Sequence, residues 1–351
     1  MTFVAKPKTH HPQLPRNELG LTRRDYEGAV STLCAGCGHD SVSAAIVQAC
    51  HELSLPAHRV AKLSGIGCSS KTPTYFLGKS HGFNSVHGRM PSVVTGANMA
   101  NRDLYYIGVS GDGDSASIGL GQFAHIARRR INMTYIVDNN GTYGLTKGQF
   151  SATNDKGSTN KRGVPNLYEP IDLCMMAIQL GATFVARSFS GDKHQLVPLL
   201  KAALKHEGFA FLDVISPCVA FNNHEGSTKS YPYVREHSDA VAMADLIPVH
   251  QEITVAYDEG ASEDVPMPDG STLRLRKLHK DYDPHDRAGA MEAIMRLAEQ
   301  QEIVTGLLYL ENEPTDCHDI LGTCRTPLNA LTEAELMPSG EQLEAVNAGF
   351  R

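Results

Sequence analysis

Hydrophobic and polar positions follow two alternating periods along most of the chain. Short apolar runs, several of them rich in β-branched residues, predict buried strands at 59–63, 105–109, 133–137, 183–186 and 209–215. Apolar residues at helical spacing predict helices at 38–53, from the turn after residue 114 to about 130, at 171–180 and at 193–206. Strands that alternate with helices are typical of parallel sheets. The pattern therefore predicts an α/β fold with a doubly wound, mostly parallel sheet.

The segment from Leu104 to Gln149 is the centre of this pattern. It contains two predicted strands, 105–109 and 133–137, with one crossover helix between them. Open parallel sheets bind ligands where the carboxyl ends of neighbouring strands meet. Both strands are followed by polar clusters, Gly111-Asp112-Gly113-Asp114 after the first and Asp138-Asn139-Asn140 after the second. We therefore expect a ligand site between the two clusters.

The chemistry of these clusters suits a diphosphate held through a divalent cation. Mg²⁺ takes hard oxygen ligands, often one or two from the protein and the rest from phosphate and water. Asp112 offers a carboxylate, Asn140 offers an amide oxygen, and the backbone just past Asn140 offers a carbonyl. Gly111 and Gly113 let backbone N–H groups approach phosphate oxygens at the positive end of the next helix. An ordinary surface turn is the alternative interpretation of GDGD taken alone.

Four of the eight cysteines lie in loops at the ends of predicted elements. Cys34 and Cys37 precede the first helix, Cys68 follows the strand at 59–63, and Cys218 follows the strand at 209–215. Such loops converge on one edge of the sheet, and four thiolates among glycines suit a 4Fe-4S cluster. Spacing alone leaves a structural zinc site equally open, although zinc ribbons usually contain two CxxC pairs.

Composition and charge limit the class of protein. The chain has 351 residues and a net charge of −7, from 39 acidic and 32 basic residues. This balance gives no electrostatic reason to expect a nucleic acid or a membrane surface as a partner. The sequence has no apolar run of bilayer length and no signal-peptide core, so we expect a cytoplasmic protein. In the cytoplasm, cysteines serve metal or redox chemistry more often than disulfides.

Changes in composition divide the chain into three regions. Residues 1–24 are rich in Pro, His and Lys and are predicted to form an N-terminal arm. Residues 25–240 contain the predicted sheet, both polar clusters and the four cysteine loops. Residues 241–351 form a C-terminal extension, which includes six acidic and no basic residues within 251–270 and a predicted helix at 286–301. We expect this extension to wrap the domain or a partner subunit, and the polar segment 151–170 to form a mobile loop over the ligand site.

Several motifs resemble those of one known family. Gly111-Asp112-Gly113, followed after one crossover by Asn139-Asn140, resembles the thiamine diphosphate motif. The sequence YGLTKGQ at 143–149 resembles the β subunit of 2-oxoacid:ferredoxin oxidoreductases. The motifs CxxCGH, GIGC and SPC are similar, in order and context, to the ligands of that family's proximal 4Fe-4S cluster. The resemblance covers roughly residues 20–240 and includes PLNALTEAEL near the C-terminus.

The resemblance also implies a set of site residues. The Mg²⁺ ligands are Asp112, Asn140 and the carbonyl of Thr142, and the cluster ligands are Cys34, Cys37, Cys68 and Cys218. The implied contacts to thiamine diphosphate are Gly111, Asp112, Gly113, Asp114, Asn140, Thr142, Tyr143, Gly144 and Leu145. The implied catalytic residues are His87, Arg89 and Lys147. The lysine is typical of members acting on 2-oxoglutarate or on many 2-oxoacids, because a second substrate carboxylate needs a cation in a site closed to water.

The implied enzyme is a heteromer of αβ or (αβ)2 composition. In this family an α subunit or second domain carries the glutamate that activates the cofactor. The implied reaction converts 2-oxoglutarate and coenzyme A to succinyl-CoA and CO2, with two electrons passing singly through the cluster to ferredoxin. Run in reverse, it fixes CO2, and the direction depends on the electron donor. Pyruvate or a broad range of 2-oxoacids are the alternative substrates.

Two interpretations from other classes remain. A non-redox thiamine diphosphate decarboxylase or carboligase subunit would keep Asp112 and Asn140 but would need no cluster, so the four placed cysteines argue against it. A zinc-stabilised scaffold protein would use the cysteines and leave the GDG motif without a role.

Overall fold

The computed structural model of the chain describes residues 11–160, 162–247, 262–266, 272–277, 279 and 282–350. The strands are β1 Val60–Ser64, β2 His81–Asn84, β3 Tyr105–Gly111, β4 Met133–Asn139, β5 Thr142–Tyr143, β6 Gln149–Phe150, β7 Phe184–Phe189, β8 Phe209–Ile215, β9 Ser238–Ile247, β10 Ser262–Pro266, β11 Thr272–Lys277 and β12 Ile303–Leu310. The α-helices are α1 Gly38–Glu52, α2 Met90–Ala100, α3 Leu120–Arg129, α4 Leu173–Gln179, α5 Lys193–Lys205, α6 Tyr231–His237, α7 Arg287–Glu299, α8 Cys317–Leu321, α9 Glu333–Leu336 and α10 Gly340–Ala348.

Ten of these strands form one sheet, in the order β10-β11-β9-β12-β7-β8-β4-β3-β1-β2. The six strands from β7 to β2 in this order run parallel to one another. Strand β12 is antiparallel to β7, and β9 is parallel to β12. β5 and β6 pair as a separate hairpin. The prediction of a mostly parallel α/β sheet is confirmed.

Helices cover both faces of the sheet. The core on one face contains α1 and α5, and the core on the other contains α2, α3, α4 and α7. Phe123 of α3 is fully buried, and its ring lies 5.7 Å from that of Tyr135 and 5.0 Å from that of Phe211. Because central parallel strands are buried on both faces, their sequences are continuous apolar runs rather than alternating ones. This explains why β4 and β8 were recognisable from sequence.

The chain departs from the predicted helix directly after β3. Residues Gly113–Ile118 form a π-helical turn, and α3 begins only at Leu120. The turn is fixed by Asp114, whose carboxylate accepts hydrogen bonds from the Gly88 amide at 2.7 Å and the Ser110 hydroxyl at 2.7 Å. Gly88 has φ +66°, and a Cβ there would lie 2.6 Å from the Cα of Gly119, so this close approach requires glycine. π-helical turns are frequent at functional sites.

The predicted terminal regions are described in part. The first ten residues of the arm, with Lys6 and Lys8, lie outside the described residues, as do 251–261 and 267–270 of the acidic stretch. The boundary expected near residue 240 falls within β9, and both β9 and β12 join the main sheet. Residues 332–350, which include α9 and α10, are exposed throughout. The extension therefore has an inner part that completes the sheet and an outer arm, residues 326–350, of which none is buried.

His206 directly follows α5, and its burial predicts how the stability of the fold depends on pH. It is buried, its Nε2 is hydrogen-bonded to the Thr183 hydroxyl at 2.7 Å, and burial lowers its pKa to about 3. In the unfolded chain the imidazole of residue 206 binds a proton near pH 6.5, whereas in the folded chain it stays neutral down to its lowered pKa. The contribution of neutral His206 to the free energy of unfolding is therefore fully present above pH 6.5 and is lost as the pH falls toward the folded pKa. Lowering the pH from 6.5 to 4 should therefore reduce the free energy of unfolding of the wild type. We expect this reduction to be smaller in His206→Gln, by up to about 3 kcal/mol.

Urea unfolding at pH 7, 5.5 and 4 measures this difference. His125→Gln is the matched control, because His125 is exposed on α3. Parallel pH profiles for wild type and His206→Gln would contradict the prediction.

Candidate active site

The two polar clusters meet at one cavity. β3 and β4 are neighbours in the sheet, with Gly111 opposite Asp138. A cavity of about 50 Å³ lies where these strands end, and its lining includes Asp112, Asn140, Thr142 and Cys68. Its further lining comes from the rest of the GDGD cluster and from the turn through Tyr143, Gly144 and Leu145. The structure therefore brings together the residues predicted from two strand ends and one cysteine loop.

Asp112 is the most extensively bonded group of the site. Its side chain is buried, and its carboxylate accepts hydrogen bonds from the Ser151 hydroxyl, from the Thr153 hydroxyl at 2.7 Å and from the Asn140 amide at 3.3 Å. Burial raises the pKa of Asp112, and the two hydroxyls and the amide partly oppose this. The sequence did not identify Ser151 and Thr153. What the sequence shows of them is a pair of hydroxyl residues at alternate positions, shortly after the YGLTKGQ segment.

Asn140 is fixed by its own loop and by the chain beyond β8. Its Oδ1 accepts a hydrogen bond from the Thr142 amide at 3.0 Å, and its carbonyl accepts one from Asn222 Nδ2 at 2.8 Å. Tyr143 donates its hydroxyl hydrogen to the Gly113 carbonyl at 3.0 Å. A Cβ on Gly113 would lie 2.5 Å from the Tyr143 ring, so the turn after β3 and the β5–β6 hairpin fit only with glycine at this position.

A histidine and a second aspartate also reach the cavity. His39, from the CxxCGH motif, is buried, and its Nδ1 is hydrogen-bonded to the Ser216 hydroxyl at 2.6 Å. Burial lowers the pKa of His39 to about 4, so its ring is neutral at physiological pH. Asp138 is fully buried, and burial and the nearby charge of Asp112 raise its pKa well above its ordinary value. Two carboxylates buried side by side repel each other, and a bound cation relieves this repulsion.

The four predicted cysteines lie in neighbouring loops, and all are free thiols. A Cβ on Gly144 would lie 3.5 Å from the sulfur of Cys68 and 3.6 Å from that of Cys218, so both sulfurs border this glycine. Burial raises the pKa of Cys37 to about 12, with a contribution from Cys218, while the pKa of Cys68 is raised by burial and by Cys218 and Cys34. Electrostatic interactions therefore connect Cys218 with Cys37 and with Cys68, and Cys68 with Cys34. Among the described residues, no group of three or more His, Cys, Asp or Glu is arranged around a single ion position.

The three predicted catalytic residues are all exposed, but the lining of the cavity includes only one of them. His87 lines it and is exposed, and Arg89 directly precedes α2. Lys147 is exposed in the turn between β5 and β6 and has φ +80°, a left-handed conformation that is uncommon for lysine. None of the three is enclosed by the chain itself, so their roles depend on what covers this face.

In the part of the chain that the structure describes, no helix has the length and apolar character needed to cross a bilayer.

Two family profiles match the chain. The profile described as thiamine pyrophosphate enzyme, C-terminal TPP binding domain, matches residues 65–214. The profile for the C-terminal part of the pyruvate ferredoxin oxidoreductase beta subunit matches residues 272–325. The first match contains the cavity lining except His39, and the second begins within the extension.

Individual proteins agree with these matches. The 2-oxoacid:ferredoxin oxidoreductase subunit beta of Saccharolobus solfataricus is 41% identical over 199 residues, which span 56% of this chain and 65% of that protein. The 2-oxoglutarate synthase subunit KorB of Methanocaldococcus jannaschii is 39% identical over 191 residues, 54% of this chain and 69% of that protein. The matched part thus spans a little under two thirds of the first relative.

A solved structure is similar over nearly the whole chain. It is described as 2-oxoglutarate:ferredoxin oxidoreductase from Magnetococcus marinus with 2-oxoglutarate, coenzyme A and succinyl-CoA bound. The TM-score is 0.70 and the sequence identity 29%, and the similarity covers 90% of this chain and 94% of that one. Together with the KorB relatives, these findings show that the chain belongs to the family of 2-oxoacid:ferredoxin oxidoreductase β subunits.

Proposed function

We propose that this chain is the β subunit of a 2-oxoglutarate:ferredoxin oxidoreductase. The complete enzyme interconverts 2-oxoglutarate plus coenzyme A with succinyl-CoA plus CO2, and two electrons pass one at a time between the substrate and ferredoxin. One observation carries the proposal: Gly144 lines the cavity that contains Asp112 and also borders the sulfurs of Cys68 and Cys218. A diphosphate site and a redox centre would therefore be neighbours in the same chain.

The donor set fits thiamine diphosphate and Mg²⁺. The carboxylate of Asp112, the amide oxygen of Asn140 and the carbonyl of Thr142 would hold the cation, which prefers such oxygen ligands. Asp138 supports a cation here, because its buried oxygens have no hydrogen-bond partner among the described residues. When bound, thiamine diphosphate supplies the nucleophilic carbon for decarboxylation. This chain's residues bind and orient it: Gly111 and Gly113 admit the phosphates, and Ser151 and Thr153 hold Asp112 in place.

The cysteine loops fit a 4Fe-4S cluster, which would supply one-electron transfer. A cubane attaches each cysteine sulfur to a different iron, so its ligands lie around a volume rather than around one point. Cys34, Cys37, Cys68 and Cys218 lie in neighbouring loops, and electrostatic interactions connect Cys218 with Cys37 and Cys68, and Cys68 with Cys34. All eight cysteines of the chain are free, which suits the reducing cytoplasm in which we place the enzyme.

The companion of this chain would be an α subunit that carries the activating glutamate and covers the exposed face of the cavity. Exposed apolar side chains lie on this face, including Val86 at 69% exposure and Ile118 and Leu145 at 50% each. We expect these exposed side chains to become buried when the α subunit binds, because apolar surface near a site is typical of protein–protein contacts. Closure by the α subunit would exclude water from the groups that bind the substrate and would complete an αβ or (αβ)2 assembly.

The outer arm at 326–350 offers a second contact to the same subunit. Helix α10 has no buried residue, and its apolar side chains are exposed to solvent. Leu343 is 51% exposed, Val346 is 58% exposed and Phe350, just beyond the helix, is 88% exposed. A helix of nine residues is marginal on its own in water, so an external surface must stabilise it. Residues 326–350 contain four glutamates and no basic residue. The arm would therefore dock on an apolar groove with a basic rim on the α subunit.

The first experiment measures cofactor content. In anaerobically purified complex we expect about four irons, about four acid-labile sulfides and one thiamine diphosphate per chain, after the α subunit's contribution is subtracted. Cys218→Ala should lower the iron content and abolish ferredoxin reduction while thiamine diphosphate still binds. Cys324→Ala, at an exposed cysteine outside the four, is the control. Zinc without thiamine diphosphate would favour the scaffold interpretation, and normal ferredoxin reduction by Cys218→Ala would refute its role as a ligand.

Substrate choice is tested at Lys147. Loss of its charge removes the partner for the distal carboxylate, so Lys147→Ala should lower kcat/KM for 2-oxoglutarate by about 10- to 100-fold and affect pyruvate far less. Lys147→Gly also removes the charge, but glycine accepts φ +80° without strain. Comparing it with Lys147→Ala therefore separates the effect of the lost charge from the effect of backbone strain. Lys79→Ala, at an exposed lysine distant in sequence, serves as the control. Equal losses for both substrates would exclude Lys147 as the selector and leave a broad-range or pyruvate enzyme.

Docking of the arm is tested on α10. Leu343→Asp combined with Val346→Asp places two charges on its apolar face, and we expect the α subunit to bind at least tenfold more weakly. Asn347→Asp adds charge to the same helix without removing an apolar side chain. Size-exclusion chromatography with light scattering measures assembly. If the double variant still forms the intact complex, the docking proposal is contradicted. It is also contradicted if the double variant loses only a contact between two β subunits and still pairs normally with the α subunit.

A further inference from the structure

Asp138 is the one charged side chain of the cavity lining with neither carboxylate oxygen hydrogen-bonded among the described residues. It lies in β4, two residues before Asn140, and side chains two apart on a strand share a face. It is fully buried. A buried carboxylate without a partner is costly, so native structures keep one where a ligand or ion supplies the missing bonds.

His39 lies beside Asp138 but does not satisfy its carboxylate. His39 Nδ1 lies 3.6 Å from Asp138 Oδ2, beyond normal hydrogen-bond length. The same nitrogen is already hydrogen-bonded to the Ser216 hydroxyl at 2.6 Å. His39 Nε2 lies 3.4 Å from Asn140 Nδ2. His39 thus joins the start of α1 to the end of β8 and has its own structural role, which leaves the oxygens of Asp138 for the contents of the cavity.

The chemistry of Mg²⁺ indicates what those contents are. Mg²⁺ demands octahedral coordination and usually keeps water among its ligands. The proposed set of Asp112, Asn140, the Thr142 carbonyl and diphosphate oxygens leaves room for a water on the same cation. Water on a divalent cation is a strong hydrogen-bond donor, because the metal withdraws its electrons. A buried carboxylate beside it is the best available acceptor.

We propose that Asp138 is a positioning residue, which accepts a hydrogen bond from a water molecule bound to the divalent cation. The inference rests on the proposed function of this site. Asp138 would act through that water and through the orientation of the cation, without contacting substrate. Outer partners of this kind orient the ligands of a metal, and their loss typically lowers metal affinity by about 10- to 100-fold.

The experiment measures metal affinity rather than turnover. The αβ complex is stripped of metal, and Mn²⁺ is titrated by electron paramagnetic resonance in the presence of thiamine diphosphate. We expect about 10- to 100-fold weaker Mn²⁺ binding for Asp138→Leu and a smaller loss for Asp138→Asn, whose amide oxygen still accepts one hydrogen bond. Without metal, Asp138→Leu should unfold at the same temperature as wild type or higher, because an unpaired buried carboxylate has been removed.

One control variant and one substitute for a variant that fails to fold keep the outcome decisive. Ser216→Ala removes the hydrogen bond of His39 and should leave Mn²⁺ affinity within about twofold of wild type. If Asp138→Leu fails to fold, the isosteric Asp138→Asn carries the test. Mn²⁺ binding by both Asp138 variants as tight as wild type would overturn the inference, as would a loss for Ser216→Ala equal to that for Asp138→Leu. Failure of the wild-type complex to bind Mn²⁺ and thiamine diphosphate would instead overturn the proposed function.

Discussion

Asp112 directly follows β3 and Asp138 lies near the end of the neighbouring strand β4; both are buried, and the charge of Asp112 disfavours ionisation of Asp138. Around this pair the chain supplies hydroxyl groups from residues 151 and 153, an amide from Asn140 and a charge from Lys229 at longer range. Such an arrangement is costly for a fold unless a cation completes it. The surrounding loops therefore have conformations that suit a loaded site: a π-helical turn, a left-handed Gly141 and a tight hairpin.

The parallel sheet explains why distant parts of the sequence meet here. Strands β1, β3, β4 and β8 run in the same direction, so the loops after them all emerge at one edge. Cys68, Asp112, Asn140 and Cys218 each follow one of these strands. The remaining two cysteines reach the same edge because α1 begins directly after Cys37 and packs on the sheet. The direction of the strands alone is therefore enough to bring the diphosphate site and the four cysteine loops together.

Local sequence patterns predicted the central strands within a few residues, because burial on both faces gives strong apolar runs. The pattern was weaker where pairing is distant in sequence. Strand β12 lies antiparallel to β7 and also pairs with β9, and a bulge adjusts the register near Gly306. A Cβ on Gly306 would lie 2.0 Å from the Ala242 carbonyl, so this glycine permits the pairing, but nothing in its neighbouring residues indicated so distant a partner.

The site was likewise predictable where a motif carries it. The proposed ligands Asp112 and Asn140 and the four cysteines were identified from motifs and from the family resemblance, whereas His39, Ser151 and Thr153 are placed by contacts that the fold creates. His39 and Ser216 are 177 residues apart, and Thr153 reaches Asp112 across 41 residues. Hydroxyl residues are common in loops, and their sequence gives no sign of which one will meet a buried carboxylate.

The hairpin from Thr142 to Phe150 carries groups for three purposes within a few residues. Thr142 lies at the proposed cation, Gly144 borders two cysteine sulfurs, and Lys147 extends to the exposed side where substrate would enter. Lys147 and Gly148 both have positive φ, so the turn is a left-handed stretch of backbone that few residue types adopt readily. If Lys147 has its proposed role, a change of substrate range at this position would fit the backbone best as glycine or asparagine, because these residues adopt a positive φ more readily than lysine does.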